Sequence, residues 1–435
     1  MEDFDAIVLG GGVGGLSAAH RLAGAGMRTA VLERSSSWGG LARSFREGGS
    51  EIEVFYHHYF THDAHVLALI RELGLGDRLV FRPVRQAVLL GGRVYPFTTP
   101  LDLLRFRPLP FRQRLRLGAV AIGRSGDDLR GVSVEEWIVG RVGREAYDRL
   151  FAPLVLSKFG APGAEISAAF ARGRLKARGA SRSRTGWVER LGYLDGGTAA
   201  IADRLVERLR SAGADLRSGA RLTSIVRGGG GFSVAAESEG RSRTLRAPVV
   251  VATIPTGALA AVLQGVPDAV REGLSRIPYR AVAVACVGLR RSLSRYYWTS
   301  VADPAAPFHA VIEHTRLHDP ARYGGSHVVY LGRYLDPSDP LWRLSDDALL
   351  ARMMGALREM HPSLTDADVS WTALARDLHA SPIFGVGYGR EVGALLDAVP
   401  GLLIGGTARV YPDSRNVNSA VRIGEDLAGR ALRAA

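Results

Sequence analysis

The feature that most narrows the choice of folds is a glycine cluster, Gly10-Gly11-Gly12-Val13-Gly14-Gly15, set between two apolar patterns. Before it, Ala6 to Leu9 form a short apolar run suited to a parallel strand buried on both faces. After it, Leu16, Ala19, Leu22 and Ala23 recur at helical spacing until Gly24 and Gly26 stop the helix. Residues 29–32 then read as a second buried strand, with Glu33 at its end. Strand, glycine turn, helix and strand in this order make half of a doubly wound α/β unit.

Gly10, Gly12 and Gly15 fall on a G-x-G-x-x-G pattern, weak alone but stronger in this setting. Gly10 permits the tight turn, Gly12 lets a pyrophosphate approach the backbone, and Gly15 permits close helix–strand packing. Val13 and Gly14 complete a cradle in which free N–H groups and the positive end of the helix dipole meet phosphate. Glu33 is placed to accept hydrogen bonds from a ribose diol, with Arg34 at the surface or near the adenine. NAD and FAD both fit this much. Two further segments favour FAD. Trp38-Gly39-Gly40 lets a loop pass close to a bulky ligand, and Arg43 follows within reach of the pyrophosphate. Far along the chain, an apolar strand at 401–406 runs into Gly405-Gly406, before Asn416, Asn418, Ser419 and Ala420 at a helix start. Such a return segment can supply donors to a flavin and its ribityl chain.

Helical patterns recur at 64–73, 198–212, 346–360 and 416–432, and strand patterns at 79–95, 221–226, 232–237, 244–253, 279–289 and 326–335. Residues 100–190 are rich in Arg and Leu with Pro breaks and read as a mostly helical insertion. The expected fold is therefore α/β: a Rossmann-like dinucleotide domain assembled from 1–85, 195–256 and 396–435, with an α+β substrate domain from 86–194 and 257–395.

The run GGGVGGLSAAHRLAGAGMRTAVLE, then WGGLAR, resembles the flavin-binding opening of the FAD-dependent amine oxidase superfamily, which includes protoporphyrinogen oxidase, phytoene desaturase and UDP-galactopyranose mutase-like proteins. LDGGTAAIADRL, VVVAT and LLIGGTARVYPDSRNVNSAVRIGEDLA resemble its later FAD segments, whereas 100–190 and 257–395 show little likeness. The resemblance implies that Gly10, Gly12, Gly15 and Glu33 bind the ADP half of FAD. It puts Gly39, Gly40 and Arg43 at the pyrophosphate, and Gly406, Val417, Asn418 and Ser419 beside the ribityl and flavin. Residues 222–226 would border the adenine. GGSEIEVFYHHYF at 48–60 resembles a family stretch beside the flavin, with Glu53, His57 and Tyr59 in matching places and Phe55 where a glycine is usual.

Three histidines are the candidate catalytic groups. His57 and His58 are adjacent and would occupy opposite faces of a strand, so one would address the flavin, and either can move a proton near neutrality. His379, with Arg376, lies where the substrate domain would return beside the ring. Tyr95 and Phe97 could line the substrate cavity or pack in a core. Neither Lys158 nor Lys176, the only lysines, has an evident role. His62 and His65 extend the histidine cluster, but no metal site is expected. Cys286 is the single cysteine, which excludes an internal disulfide and leaves redox chemistry to a cofactor.

These features imply oxidation or desaturation of a small organic or isoprenoid-like substrate by hydride transfer to flavin N5. The alternatives are non-redox flavin chemistry on a nucleotide sugar and an FAD-stabilised, membrane-associated scaffold. The net charge of +13 is spread along the chain without a nucleic-acid module, so no nucleic-acid partner is expected. Arg105, Arg107, Arg112, Arg114 and Arg116 interleave with Leu103, Leu104, Phe106, Leu109, Phe111, Leu115 and Leu117. That face suits solvent, anionic lipid or the phosphates of a diphosphate-bearing substrate. With acidic Glu2, Asp3 and Asp5 at the start and no apolar run of about 18 residues, the expected location is cytoplasmic, with room for peripheral membrane contact. Oligomeric state is left open.

Overall fold

The structure is a computed structural model, and it describes residues 2–122, 129–181 and 188–434. Its centre is a five-stranded parallel sheet in the order Asp215–Arg217, Thr29–Leu32, Ala6–Leu9, Val249–Ala252, Leu402–Ile404. Strands from three distant stretches of chain meet here, and the three central and return strands Ala6–Leu9, Val249–Ala252 and Leu402–Ile404 are short, wholly apolar runs that need cover on both faces. Every residue of Ala6–Leu9, Val249–Ala252 and Leu402–Ile404 is buried. Helix Val13–Gly24 packs against Val417–Ala434 and Ala199–Ser211.

A second sheet of seven strands runs Val369–Pro382, Tyr279–Leu289, His327–Leu335, Ala310–Glu313, Trp298–Val301, Gln86–Leu90, Arg93–Pro96. It is antiparallel except where Trp298–Val301 meets Gln86–Leu90. The 14-residue strand Val369–Pro382 is not among the sequence expectations, because its half-exposed residues lack a clean alternation. The expected strand over 244–253 divides into Arg241–Ala247 and Val249–Ala252, which belong to different sheets. Pro248 stands at the break and has no N–H for a ladder.

The stretch expected to be helical carries Pro100–Leu104, Phe111–Ile122, Val134–Arg141, Ala152–Phe159 and Ala168–Ala180, while residues 123–128 and 182–187 of it lie outside the described residues. Tyr95 and Phe97 stand edge-on to buried Phe106, with ring centroids 5.3 and 5.2 Å away. They seal this helical layer rather than line the cavity. Among the described residues, no helix is long and apolar enough to cross a membrane.

Candidate active site

The carboxyl ends of strands Ala6–Leu9, Thr29–Leu32, Val249–Ala252 and Leu402–Ile404 open on one cavity of about 1020 Å³. This is where an open parallel sheet offers a crevice to a ligand. Gly10 turns with φ +105°, and a Cβ on Gly15 would lie 2.0 Å from the Gly10 carbonyl oxygen. Turn and helix can therefore touch only through glycine. No side chain caps the helix that follows Gly12, so N–H groups of its first turn are left for a ligand. A Cβ on Gly12 would meet nothing nearer than the Gly40 Cα at 4.0 Å, which leaves a cradle at the backbone.

Glu33 accepts hydrogen bonds from the Gly11 N–H at 2.6 Å and the Ser35 N–H at 2.7 Å. It thus braces the glycine turn and keeps lone pairs for a ribose diol. Arg34 also lines the cavity. The Trp38-Gly39-Gly40 loop crosses the turn, with the Gly39 N–H donating to the Gly11 carbonyl at 2.8 Å. Arg43 donates to the Gly40 carbonyl at 3.0 Å and lies 5.4 Å from the centroid of the Phe55 ring. Ala220 and Leu222 lie on the same wall, where the adenine border was expected.

The C-terminal segment contributes Gly406, Asn416, Val417 and Ala420 to the cavity. Asn418 and Ser419 do not line it. The Asn418 side chain accepts from the Val66 N–H at 3.1 Å and docks a neighbouring helix. Ser419 donates to the Ser414 carbonyl at 2.7 Å, and its N–H meets Asn416 Oδ1 at 2.8 Å. Ser419 is thus held by the helix start itself and Asn418 by the neighbouring helix, while Asn416 and Ala420 of the same segment line the cavity.

His57 and His58 sit in irregular chain, not on a strand, so the two-face argument does not apply and both reach the cavity. His57 Nδ1 is 3.4 Å from Glu53 Oε1, and neither this nitrogen nor Glu53 Oε2 has a hydrogen-bond partner. Glu53 is wholly buried and accepts the Thr198 N–H at 2.8 Å. Burial works to raise its carboxyl, and the nearby His57 and His314 outweigh that and hold it low. His58 Nδ1 pairs with the Tyr297 hydroxyl at 3.0 Å. Burial, then the charge of Arg178, pulls His58 down to about 3, so it is a neutral hydrogen-bonding group at physiological pH. Tyr59 faces away and pairs with the Thr198 hydroxyl at 2.9 Å.

His379 also lines the cavity, and burial, with Arg34 adding to it and Asp377 opposing, lowers its ring below the usual imidazole range. Arg376 is committed to the Trp342 and Leu344 carbonyls and to Asp346. The Arg-rich face at 105–116 spans the turn after Pro100–Leu104 and the start of Phe111–Ile122, outside the cavity. Lys158, Arg174, Arg178 and Arg415 also line the cavity. They surround an aromatic wall in which Trp298 stands 5.4 Å from Tyr56 and 6.3 Å from His58. Sequence reasoning missed them, although Arg174 and Arg178 are spaced to share one helix face.

Residues 13–432 match the family described as flavin containing amine oxidoreductase. The chain belongs to this family. It is an FAD-dependent oxidoreductase, and the uncapped helix, the Glu33 carboxylate and the long cavity fit FAD. Among curated relatives, rat all-trans-retinol 13,14-reductase is 33% identical over 103 residues, 24% of this chain and 15% of that protein. The Danio rerio protein of the same name is 44% identical over 57 residues, 13% and 9% of the two chains. The matched stretches thus cover a small part of those relatives. Solved structures share the whole fold. A protein named for protoporphyrinogen oxidase from Exiguobacterium sp. 255-15 superposes with a TM-score of 0.77 at 20% identity over 99% of both chains. Reduced UDP-galactopyranose mutase gives 0.79 at 17% over 99% and 96%. Putrescine oxidase bound to putrescine gives 0.72 at 16% over 99% of both.

Proposed function

We propose that this flavoprotein oxidises or desaturates a small organic substrate that enters the chamber between His57, His58 and the second sheet. The observation that carries the reading is the continuity of one cavity from the glycine turn, past both histidines, to Val282, Val284, Trp298 and Tyr334 on that sheet. FAD, when bound, supplies a hydride acceptor at N5. The protein's part is to orient a substrate C–H bond and keep water away. Trp298, Phe159 and Phe170 give the chamber apolar surface, which suits a partly hydrophobic substrate. His57 faces the cavity and backs onto buried Glu53, so it is the group placed to accept a proton from substrate, with Glu53 orienting its ring. His58, held neutral, positions substrate by hydrogen bonding.

The residues proposed for FAD are Gly10, Gly12, Val13, Gly14, Gly15, Glu33, Arg34, Gly39, Gly40, Arg43, Gly406 and Val417, each of which lines the cavity. The segments 1–85, 195–256 and 396–435 are proposed as the cofactor half. Anaerobic mixing of the purified yellow protein with candidate substrates tests the reading: bleaching of the flavin band, with His57→Ala slowing it while FAD stays bound, is the expected result. Turnover that consumes no electron acceptor would overturn it.

The Arg-rich face supports a proposed contact with anionic lipid. Leu101, Leu104, Phe111 and Leu115 are exposed beside exposed Arg105, Arg107, Arg112 and Arg116, an apolar and cationic pairing that suits a membrane surface. Flotation with phosphatidylserine vesicles, lost in Phe111→Glu and absent with neutral vesicles, is expected. Equal flotation of Phe111→Glu would refute the contact.

A further inference from the structure

The chamber beyond the histidines concentrates positive charge, on Lys158, Arg174, Arg178 and Arg415. Lys158, at the end of helix Ala152–Phe159, and Arg174, on helix Ala168–Ala180, are half-buried and line the cavity. Neither has an acidic side chain within ion-pair distance among the described residues. Lys158 instead lies 5.7 Å from the Trp298 ring centroid and 6.0 Å from that of Phe159, and Arg174 lies 5.9 Å from that of Phe170. Arg178 shares the Trp298 ring at 5.7 Å. Arg415 donates to the Tyr334 hydroxyl and lies 5.8 Å from the centroid of its ring.

Their neighbours act on Lys158 and Arg174. Burial, then the charges of Arg174, Arg178 and Arg415, pushes the Lys158 ammonium well below its ordinary range. Burial, then Arg178, brings Arg174 down to about 10. Cations taken out of water without an opposite charge are destabilising, and proteins ordinarily pair them. Elsewhere Arg280 meets Asp336 and Arg376 meets Asp346, and buried Arg333 donates to the Ser157 and Pro304 carbonyls. Lys158 and Arg174 have aromatic rings in place of such partners, and a ligand that brings negative charge relieves the cost.

We propose that Lys158 and Arg174, reinforced by Arg178 and Arg415, form a subsite for a compact anionic group, carboxylate or phosphate, carried by the substrate. The inference rests on the flavoenzyme reading above and adds the substrate's chemical class. The subsite lies on the Trp298–Tyr334 wall, and the cradle for the FAD pyrophosphate is formed instead by Gly12, Gly40 and the start of the first helix. Arg174 brings a planar fork suited to two oxygens of one anion, and Lys158 a point charge beside it. Trp298 and Phe170 then cover the apolar remainder of the molecule, so the substrate is amphiphilic, with its charged end fixing which carbon faces the flavin.

The test uses the FAD-loaded protein, in which the cofactor already fills the glycine cradle. Inorganic pyrophosphate and glutarate are titrated separately, read by calorimetry and by the flavin difference spectrum. Saturable binding of at least one probe is expected, weakened tenfold or more in both Lys158→Met and Arg174→Met and unchanged in Arg208→Ala on the exterior. Stronger binding of pyrophosphate assigns a phosphate group, and stronger binding of glutarate a carboxylate. Should Lys158→Met fail to accumulate, Lys158→Gln carries the same expectation. Full FAD content with no saturable binding, or binding that both variants leave intact, overturns this inference alone. A shift in flavin midpoint potential in the variants without weaker anion binding also overturns it, because the cations would then serve the flavin. A protein that takes up no FAD overturns the flavoenzyme reading beneath it.

Discussion

Gly15 and Gly24 belong to the same helix, and adding one methyl group to each should have opposite effects. A Cβ at Gly15 would stand 2.0 Å from the Gly10 carbonyl oxygen and 2.8 Å from Thr253 Oγ1. Carbon and carbonyl oxygen ordinarily meet at roughly 3.3 Å, so turn and helix must part by about 1.3 Å. Overpacking of this kind costs about 1–3 kcal/mol, offset by up to about 1 kcal/mol because Ala favours a helix over Gly. The net loss of stability is about 0–2 kcal/mol. The effect on FAD is larger, because the N–H groups of the first turn move with the helix. Two charge-assisted hydrogen bonds stretched beyond reach, at about 1.5–3 kcal/mol each, amount to a weakening of at least 100-fold. At Gly24 a Cβ would find nothing within 4 Å, so Gly24→Ala should leave FAD affinity unchanged and stabilise by up to about 1 kcal/mol. Titration of apoprotein with FAD, followed by quenching of flavin fluorescence, gives both affinities. If Gly15→Ala binds FAD within threefold of the parent and melts no lower, the claim that only glycine allows this approach is wrong.

Asp63 is buried and accepts the Phe60 N–H at 2.7 Å, and burial raises its carboxyl to about 6 from an ordinary 3.8. The folded state therefore holds this proton more tightly than the unfolded chain, and stability should fall as pH rises from about 4 to about 6, by at most about 3 kcal/mol at 1.36 kcal/mol per pKa unit. Asp63→Asn should remove that slope in denaturant titrations across the window, and an unaltered slope would refute the assignment. Glu53→Ala leaves the Thr198 N–H buried and unpaired, at about 1–3 kcal/mol, whereas Glu53→Gln can keep the bond. Chemical denaturation should rank Gln at least about 1 kcal/mol above Ala, and equal losses would show that the N–H bond is not what matters.

The cofactor half of this protein was legible because its signals are local. A four-residue apolar strand, a glycine turn, a helix and an acid follow one another within 33 residues, and each step is set by its own neighbours. The return segments could be recognised for the same reason, since 249–252 and 402–404 are wholly apolar runs that only a doubly covered sheet accepts. Which face of a helix start meets the cavity was not local. Asn418 turns to the Val66 N–H and Asn416 stays on the cavity wall, and that choice depends on helix Ala64–Glu72, more than 340 residues earlier in the chain.

The chamber lay still further from the reach of sequence. Lys158, Arg174, Trp298, Tyr334 and Arg415 come from separate elements, and nothing in the spacing of one announces the next. A charged side chain in a sequence carries no mark of burial. Only the packing of the helical layer against the seven-stranded sheet takes these cations out of water, and that desolvation gives them their chemical meaning.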